Sequence, residues 1–381
     1  MRRLTYLCQQ FPVVTETFTL KEVEGLRAAG LDPAVVGLKP PPSDLPAELR
    51  RLGVPSTVLV PATAALPHMF RAPRLVARLV SRRAPRRALA ALRGASLARR
   101  LEAKRDHVHA QFPLEASTAA LYATQIAGCT FSFSGHTLHQ LDLMPEKLAA
   151  ASFVVVGSDF ERRVLCARFG AGWSERIHVR RLGVPPRESD GRRIPFRVIT
   201  VGTLAEKKGH DVLLRALAEV LREGTPASLE FVGEGPDRPK LEALARGLGI
   251  EGHVAFLGAL GHAETLRRID AASAFALCCR ETPGGDHDCL PVALMDAMSL
   301  GVPCVTSDAF GIPELIEHGT SGLLARPEDF VSVAAHLTVL LADAGRARAI
   351  AAAGHAVVRE RFDLHANTAR LVELFVEQLE S

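Results

Sequence analysis

The sequence predicts an α/β chain of two open parallel sheets, one in each half, and three observations carry that prediction. Short, continuously apolar runs alternate with stretches whose apolar residues recur at helical spacing, the pattern of a parallel sheet covered on both faces. A run rich in Pro, Gly and charge, Gly183-Val184-Pro185-Pro186-Arg187-Glu188-Ser189-Asp190-Gly191, reads as a linker between two halves of similar size. The 381 residues allow two domains of ordinary length.

The elements follow in order. In the first half, strands are predicted over 4–7, 34–38, 107–112, 130–133, 153–156 and 177–180, with helices over 18–29, 115–126 and 159–168. Thr19 with Glu22 has the spacing of a capping box, and Gly30 follows as a helix stop. In the second half the alternation is clearer. Strands are predicted over 196–201, 229–232, 254–257, 274–278 and 304–306, and helices over 211–221, 238–246, 263–271 and 291–300, with a short one near Glu314. Helical patterns run on from 327 to 381. The expected division is 1–184, 185–355, and a last segment, 356–381, whose helix crosses back toward the first domain.

Composition is that of a globular enzyme, with 48% hydrophobic and 23% charged residues. No run of about 18 apolar residues appears, so no membrane-spanning helix is expected. The start, Met1-Arg2-Arg3-Leu4-Thr5-Tyr6-Leu7, reads as a first strand and not as a secretory signal. Seven cysteines, an odd number without metal-ligand spacing, fit a reducing cytosol and small core side chains. The net charge of +4 hides an asymmetry. Residues 71–105 hold twelve Lys or Arg and one acid, Glu102, an excess of +11 that leaves the remainder near −7. Leu75, Val76, Leu79, Val80, Leu89, Leu92, Leu97 and Leu101 recur there at near-helical spacing. Such a helix either packs its apolar stripe on the domain or lies on an anionic membrane surface.

Open parallel sheets bind ligands beyond the carboxyl ends of their strands. There the sequence places Gly284-Gly285-Asp286-His287-Asp288-Cys289-Leu290-Pro291-Val292-Ala293-Leu294-Met295-Asp296-Ala297-Met298. A Gly-rich loop presents Asp288 just before a helix, and Pro291 suits the first helical turn. The amides of Cys289, Leu290 and Val292 are expected to face outward. With the positive end of the helix dipole, they make a diphosphate site that needs no metal.

This stretch resembles the signature of the family-4 retaining glycosyltransferases of GT-B fold, also called group 1, in which two glutamates stand eight positions apart around Pro-Val-Ala-Leu-Met-type residues. Here both acids are aspartates, each one methylene shorter. The resemblance implies two facing Rossmann-like domains with parallel sheets. It implies that Asp288 holds donor-sugar hydroxyls and Asp296 the nucleotide ribose. Val201-Gly202-Thr203-Leu204-Ala205-Glu206-Lys207-Lys208-Gly209-His210 looks like the loop in which the family sets an Arg and a Lys on the donor phosphates. Lys208 matches the Lys; Thr203 stands where the Arg belongs, leaving Arg280 or Lys207 to supply the charge. Phe256-Leu257-Gly258-Ala259-Leu260 resembles the segment lining the base, which places Gly258 in the donor site. Ser132-Phe133-Ser134-Gly135-His136 resembles the active-site histidine segment, so His136 is expected beside the donor sugar. Phe11-Pro12-Val13-Val14-Thr15-Glu16-Thr17-Phe18 resembles the opening of an exopolysaccharide-building subgroup, with Thr15 and Glu16 facing phosphates or acceptor.

The implied activity is a retaining, metal-independent glycosyltransferase. It takes a nucleotide diphosphate sugar as co-substrate, with no cofactor, and a sugar or lipid-linked sugar acceptor. No nucleic-acid partner is expected. The setting is bacterial exopolysaccharide assembly in the cytoplasm, at the inner membrane face through 71–105. The competing readings are a sugar phosphorylase or nucleotide-sugar epimerase, and a non-catalytic sugar-nucleotide-binding module. A nicotinamide oxidoreductase is disfavoured because no dinucleotide fingerprint follows a first strand.

Overall fold

A computed structural model describes residues 3–12, 17–41, 56–58, 85–103, 105–135 and 142–380. The chain divides into two compact units, Met1–Arg180 with His365–Ser381, and Arg181–Leu364.

The first unit is built on seven parallel strands: β1 (Arg3–Gln10), β2 (Ala34–Lys39), β3 (Ser56–Val58), β4 (Asp106–Ala110), β5 (Thr130–Ser134), β6 (Val154–Val156) and β7 (Ile177–Val179). Their order is β3-β2-β1-β4-β5-β6-β7, so the direction of winding reverses between β1 and β4. Its helices include α1 (Thr17–Ala28), α2 (Pro85–Ala98), α3 (Glu115–Ala127), α4 (Met144–Ala150) and α5 (Asp159–Phe169). Side chains alternate across the sheet. On one face Leu7, Val36, Val108, Phe131 and Phe133 join Leu97 of α2 and Ala116, Ala119, Ala120 and Ala123 of α3. β4 stops at Ala110, short of the expected 112, because Phe112 sits at φ 67°, which no strand can continue.

The second unit repeats the plan. Its strands are β8 (Ile194–Val201), β9 (Ser228–Val232), β10 (Val254–Phe256), β11 (Ala272–Leu277), β12 (Cys304–Ser307) and β13 (Leu323–Ala325), in the parallel order β10-β9-β8-β11-β12-β13. Its helices are α6 (His210–Arg222), α7 (Arg238–Gly247), α8 (His262–Asp270), α9 (Val292–Ser299), α10 (Phe330–Ala342) and α11 (Ala344–Arg361). Leucines and valines of α6, α7 and α10 form one cluster with Val198, Phe231, Ala274, Ala276 and Val305 of the sheet. α9 packs against α8 and α11. Among the described residues no single helix is long and apolar enough to cross a membrane.

The last helix, α12 (Leu364–Glu380), returns to the first unit. Leu371, Val372, Phe375 and Leu379 complete the second face of that unit's sheet, together with Tyr6, Cys8, Phe153 and Val155 and with Leu20, Val23 and Leu26 of α1. The chain thus passes between units twice, at Arg180–Arg181 and at Leu364–His365. Beside these passages Val184 donates its amide to Phe362 O (3.0 Å) and accepts from Leu364 N (3.1 Å). Gly183 has to be glycine there, because a Cβ would come within 2.6 Å of Phe362 O. The Pro- and Gly-rich stretch is therefore a hydrogen-bonded ribbon and not a free tether.

One local expectation is corrected. Thr19 and Glu22 make no capping box, since α1 begins at Thr17 and both residues lie buried within it. The Glu22 carboxylate instead accepts from Tyr6 Oη (2.5 Å) and Gln111 Nε2 (2.5 Å) and pairs with Arg180. All four side chains are buried, so the charge is met by two hydrogen bonds and an opposite charge.

A second buried polar array runs along β4 and β5. His107 bonds Thr130 Oγ1 (2.9 Å) and Ser132 Oγ (2.7 Å), and His109 bonds Ser132 Oγ (2.8 Å) and Ser134 Oγ (3.0 Å). Phe153 stacks on both imidazoles and Phe375 meets them edge-on. These histidines are structural. Ser132 bridges both rings, so Ser132→Ala strips a partner from each. A loss of about 1–3 kcal/mol per deprived nitrogen is expected, read as a lower urea midpoint at unchanged slope. An unaltered midpoint would show the ladder to be dispensable.

Candidate functional site

In the second unit the winding reverses between β8 and β11, so the crevice for a ligand opens beyond Val201 and Leu277. The loops leaving those two strands carry most of the residues singled out from the sequence. Residues 202–209 follow β8 and contain the single 3₁₀ turn Glu206–Lys208 before α6. Arg280 N donates to Lys207 O (3.0 Å), tying this loop to the one that follows β11. Gly209, at φ 60°, presses against the end of β11 so closely that a Cβ would meet Cys278 O at 1.9 Å. Only glycine permits both the left-handed turn and the approach.

The loop after β11 is ordered by its own short bonds. Gly285 N donates to Thr282 O (2.8 Å), Asp286 N to Thr282 Oγ1 (3.1 Å), and Thr282 N to Asp286 O (2.9 Å). His287 stacks on Phe310 with ring centroids 4.1 Å apart. Asp288 is thereby delivered to the lysines of the first loop. Lys208 Nζ pairs with its Oδ2, and Lys207 Nζ lies 3.2 Å from Oδ1 and 3.3 Å from Asp286 Oδ1. Burial works to raise the Asp288 pKa, but Lys208 and then Lys207 outweigh it and hold the carboxyl below its ordinary range. Burial likewise opposes charge on Lys208, and Asp288 more than compensates, so the ammonium is held above its usual value. Both groups are ionised at neutral pH. Cys279 nearby is inert, its thiol pushed up to about 12 chiefly by burial.

α9 starts at Val292, one residue later than expected. Pro291 is the flanking residue before the helix, in an extended conformation (ψ 122°), and not its first turn. Cys289 and Leu290 lead into it, with Leu290 buried and Cys289 O accepting from Gly311 N (3.2 Å). The first amides of any helix lack partners within it, so α9 presents a positive end at Val292, four positions beyond Asp288.

Asp296 lies in α9, 7% exposed, and accepts from Arg187 Nη2 at 2.8 Å. Burial raises its pKa, with Arg187 and His262 opposing. Arg187 escaped the sequence reading. It sits in the Pro-rich stretch, 109 positions from its partner, and nothing local marks it. Gly258 (φ 73°) accepts from Gly233 N (2.8 Å), and Phe256 just before it stacks on Phe231 (4.7 Å). Arg238 joins Glu234 (2.6 Å) and Glu242 (2.9 Å) at the same edge. Thr203 is exposed, and its carbonyl accepts from Ala205 N and His210. Burial is the main reason the His210 pKa falls to about 4, so that ring enters the site neutral.

The structure brings Lys208 and Lys207 to Asp288, and Cys289, Leu290 and Val292 follow Asp288 along the chain. Thr203, Gly258 and Asp296 belong to the same unit. His136, Thr15 and Glu16 lie outside the described residues. Among the described residues no group of three or more His, Cys, Asp or Glu side chains converges as metal ligands would.

Comparison with known proteins bears on this geometry. Residues 195–343 match the family described as glycosyl transferases group 1. The chain is 32% identical over 206 residues to the amylovoran biosynthesis glycosyltransferase AmsK of Erwinia amylovora, a stretch covering 53% of this chain and 51% of that one. It is 32% identical over 178 residues to a GDP-mannose-dependent α-(1-6)-phosphatidylinositol monomannoside mannosyltransferase of Mycolicibacterium smegmatis, covering 46% and 47%. The matches thus span about half the length of these relatives. The crystal structure of Anabaena Alr3699/HepE in complex with UDP superposes with a TM-score of 0.76 at 19% identity, over 99% of this chain and 100% of that one. Residues 195–343 are thus similar to the group 1 glycosyl transferases, and the chain has the GT-B fold.

Proposed function

We propose that the protein is a retaining, metal-independent glycosyltransferase that moves a sugar from a nucleoside diphosphate donor to an acceptor hydroxyl, in bacterial polysaccharide or exopolysaccharide assembly. The observation that carries this is the meeting of Lys207, Lys208, Asp288 and the start of α9 at the switch point of the second sheet. Two ammonium groups and a helix end form a site for the leaving diphosphate. They act where negative charge grows in the transition state, which is where stabilisation accelerates a reaction. A relative named for GDP-mannose-dependent transfer and a similar fold solved with UDP-glucose support the same class of donor, and a relative named for amylovoran biosynthesis supports the polysaccharide setting.

In this reading Asp288 exchanges its lysine partners for the donor-sugar hydroxyls, and Asp296 with Arg187 serves the ribose side. Cys289, Leu290 and Val292 offer the diphosphate their main chain, and Gly258 lines the base. His136, Thr15 and Glu16 are assigned to the sugar and the acceptor. The acceptor oxygen bonds to the anomeric carbon as the bond to the diphosphate breaks, and a donor phosphate oxygen takes the acceptor proton. The transfer occurs on the face the leaving group vacates.

The protein is further assigned to the cytoplasm, peripheral to the inner membrane face through 71–105. Of that stretch residues 85–103 and 105 are described, and α2 within it buries Ala90, Ala91, Ala95 and Leu97 and leaves Leu89 43% exposed. Arg93 pairs with Glu115, and Arg99 and Arg100 lie on the exposed surface.

Incubation with a panel of nucleoside diphosphate sugars and glycan acceptors should release nucleoside diphosphate. NMR of the product should show the donor's anomeric configuration kept; inversion would refute the retaining assignment, and binding without turnover would make the chain a sugar-nucleotide-binding module. Asp288→Asn removes a charge-assisted bond to the sugar, so transfer should fall about 10- to 100-fold while UDP affinity measured by calorimetry holds or tightens. Co-sedimentation with anionic vesicles should be lost when Arg99 and Arg100 are changed together to Glu, and unaltered sedimentation would end the membrane assignment.

A further inference from the structure

The first unit contains a cavity of about 450 Å³, within the size range of small-molecule sites. It is lined by Arg3, Ala34 and Asp106, which are the first residues of the adjacent strands β1, β2 and β4. The cavity is therefore at the amino ends of these strands. The crevice for a reacting ligand opens at their carboxyl ends, so whatever fills this cavity is not the group being transferred.

Small residues leave the room. Gly30 turns at φ 82° with nothing within 4 Å of where a Cβ would stand, and Ala34 adds only a methyl group. Leu4, Leu31, Val36 and Leu97, each 6% exposed or less, form an apolar wall. The two acids in the lining are already met. Asp106 accepts from Arg3 Nε (2.7 Å) and from the amide of Glu102 (2.5 Å), and Asp32 pairs with Arg27 (3.1 Å). Arg3 is further engaged by Glu102 (3.1 Å). Arg100 also lines the cavity, is exposed, and makes no ion pair among the described residues. An apolar wall with one uncommitted guanidinium beside it suits an apolar chain that carries an anion at its end.

Leu97, Arg100 and Leu101 of the lining belong to the basic stretch 71–105, so the segment that supplies the excess positive charge also walls the cavity. Resting on the peripheral membrane assignment made above, we propose that this cavity receives one acyl chain of an anionic membrane lipid, with the lipid phosphate against Arg100. A single chain or a basic patch holds a protein to a bilayer weakly, and the two together hold it firmly. The basic stretch attracts the anionic surface, and the seated chain fixes the first unit on it.

The test is calorimetric titration of the full chain with lauroyl lysophosphatidylglycerol below its micelle-forming concentration, with laurate and with glycerol 3-phosphate, beside co-sedimentation with phosphatidylglycerol vesicles. The lysophospholipid should saturate one site, laurate should bind more weakly, and glycerol 3-phosphate should give no heat. Ala34→Phe fills the cavity from an exposed strand end and should weaken lysophospholipid binding about tenfold or more, at a native melting temperature. Arg100→Gln, on the surface and without a partner to lose, should weaken it about three- to tenfold. Unchanged affinity in both variants would overturn the proposal, and tighter binding of laurate than of the lysophospholipid would replace the membrane lipid with a free fatty acid. A parent protein that sediments with the vesicles but does not bind the lysophospholipid would overturn the cavity proposal alone. One that does neither would overturn the membrane assignment as well.

Discussion

The close approach of Gly209 to the carbonyl of Cys278 is the constraint on which the second unit's chemistry depends. It brings the loop after β8 against the loop after β11, at the point where the sheet changes its direction of winding. Neither loop makes a site by itself. The first carries two lysines that need an anion, and the second carries an acid that needs a cation. Pressed together, they neutralise each other in a half-buried crevice. A side chain at position 209 would push the loops apart and dissolve the cluster without touching a charged group.

Charge balance recurs as the price of burial throughout the molecule. Glu22 is met by Arg180, Tyr6 and Gln111 in the first unit, Asp296 by Arg187 in the second, and Asp106 by Arg3 at the sheet's amino edge. Most of these pairs join residues distant in sequence. They cannot form until the strands are assembled, so they select the native arrangement more than they drive collapse. The histidine array along β4 and β5 is similar, since its bonds exist only when the two strands are in register.

How much of this was legible follows from how local each signal is. Buried parallel strands read as continuous apolar runs, and the helices between them show their stripe, so the succession of elements from β8 to β12 could be followed in the sequence. β3 and β13, each of three residues, were missed. The loop carrying Asp288 was legible because glycines, an acid and a proline stand side by side before a helix. Arg187 was not, because its meaning arises only from a contact across 109 positions. Thr19 and Glu22 misled for the converse reason. Their spacing satisfies a local rule, but Tyr6, Gln111 and Arg180 claimed the carboxylate once the sheet had formed. Lys207 and Arg280 were both visible as candidates for a further positive charge; in the folded loops Lys207 pairs with Asp288 and Arg280 with Asp211.

The return of α12 to the first sheet has a bearing on biosynthesis. Phe375 packs against Tyr6 of β1, which is translated before the second unit, yet Phe375 itself is translated after every residue of that unit. During synthesis the early sheet must wait with one apolar face incompletely covered while the later one closes. Nascent chains are therefore most exposed to aggregation, and most in need of a chaperone, in the interval between those two events.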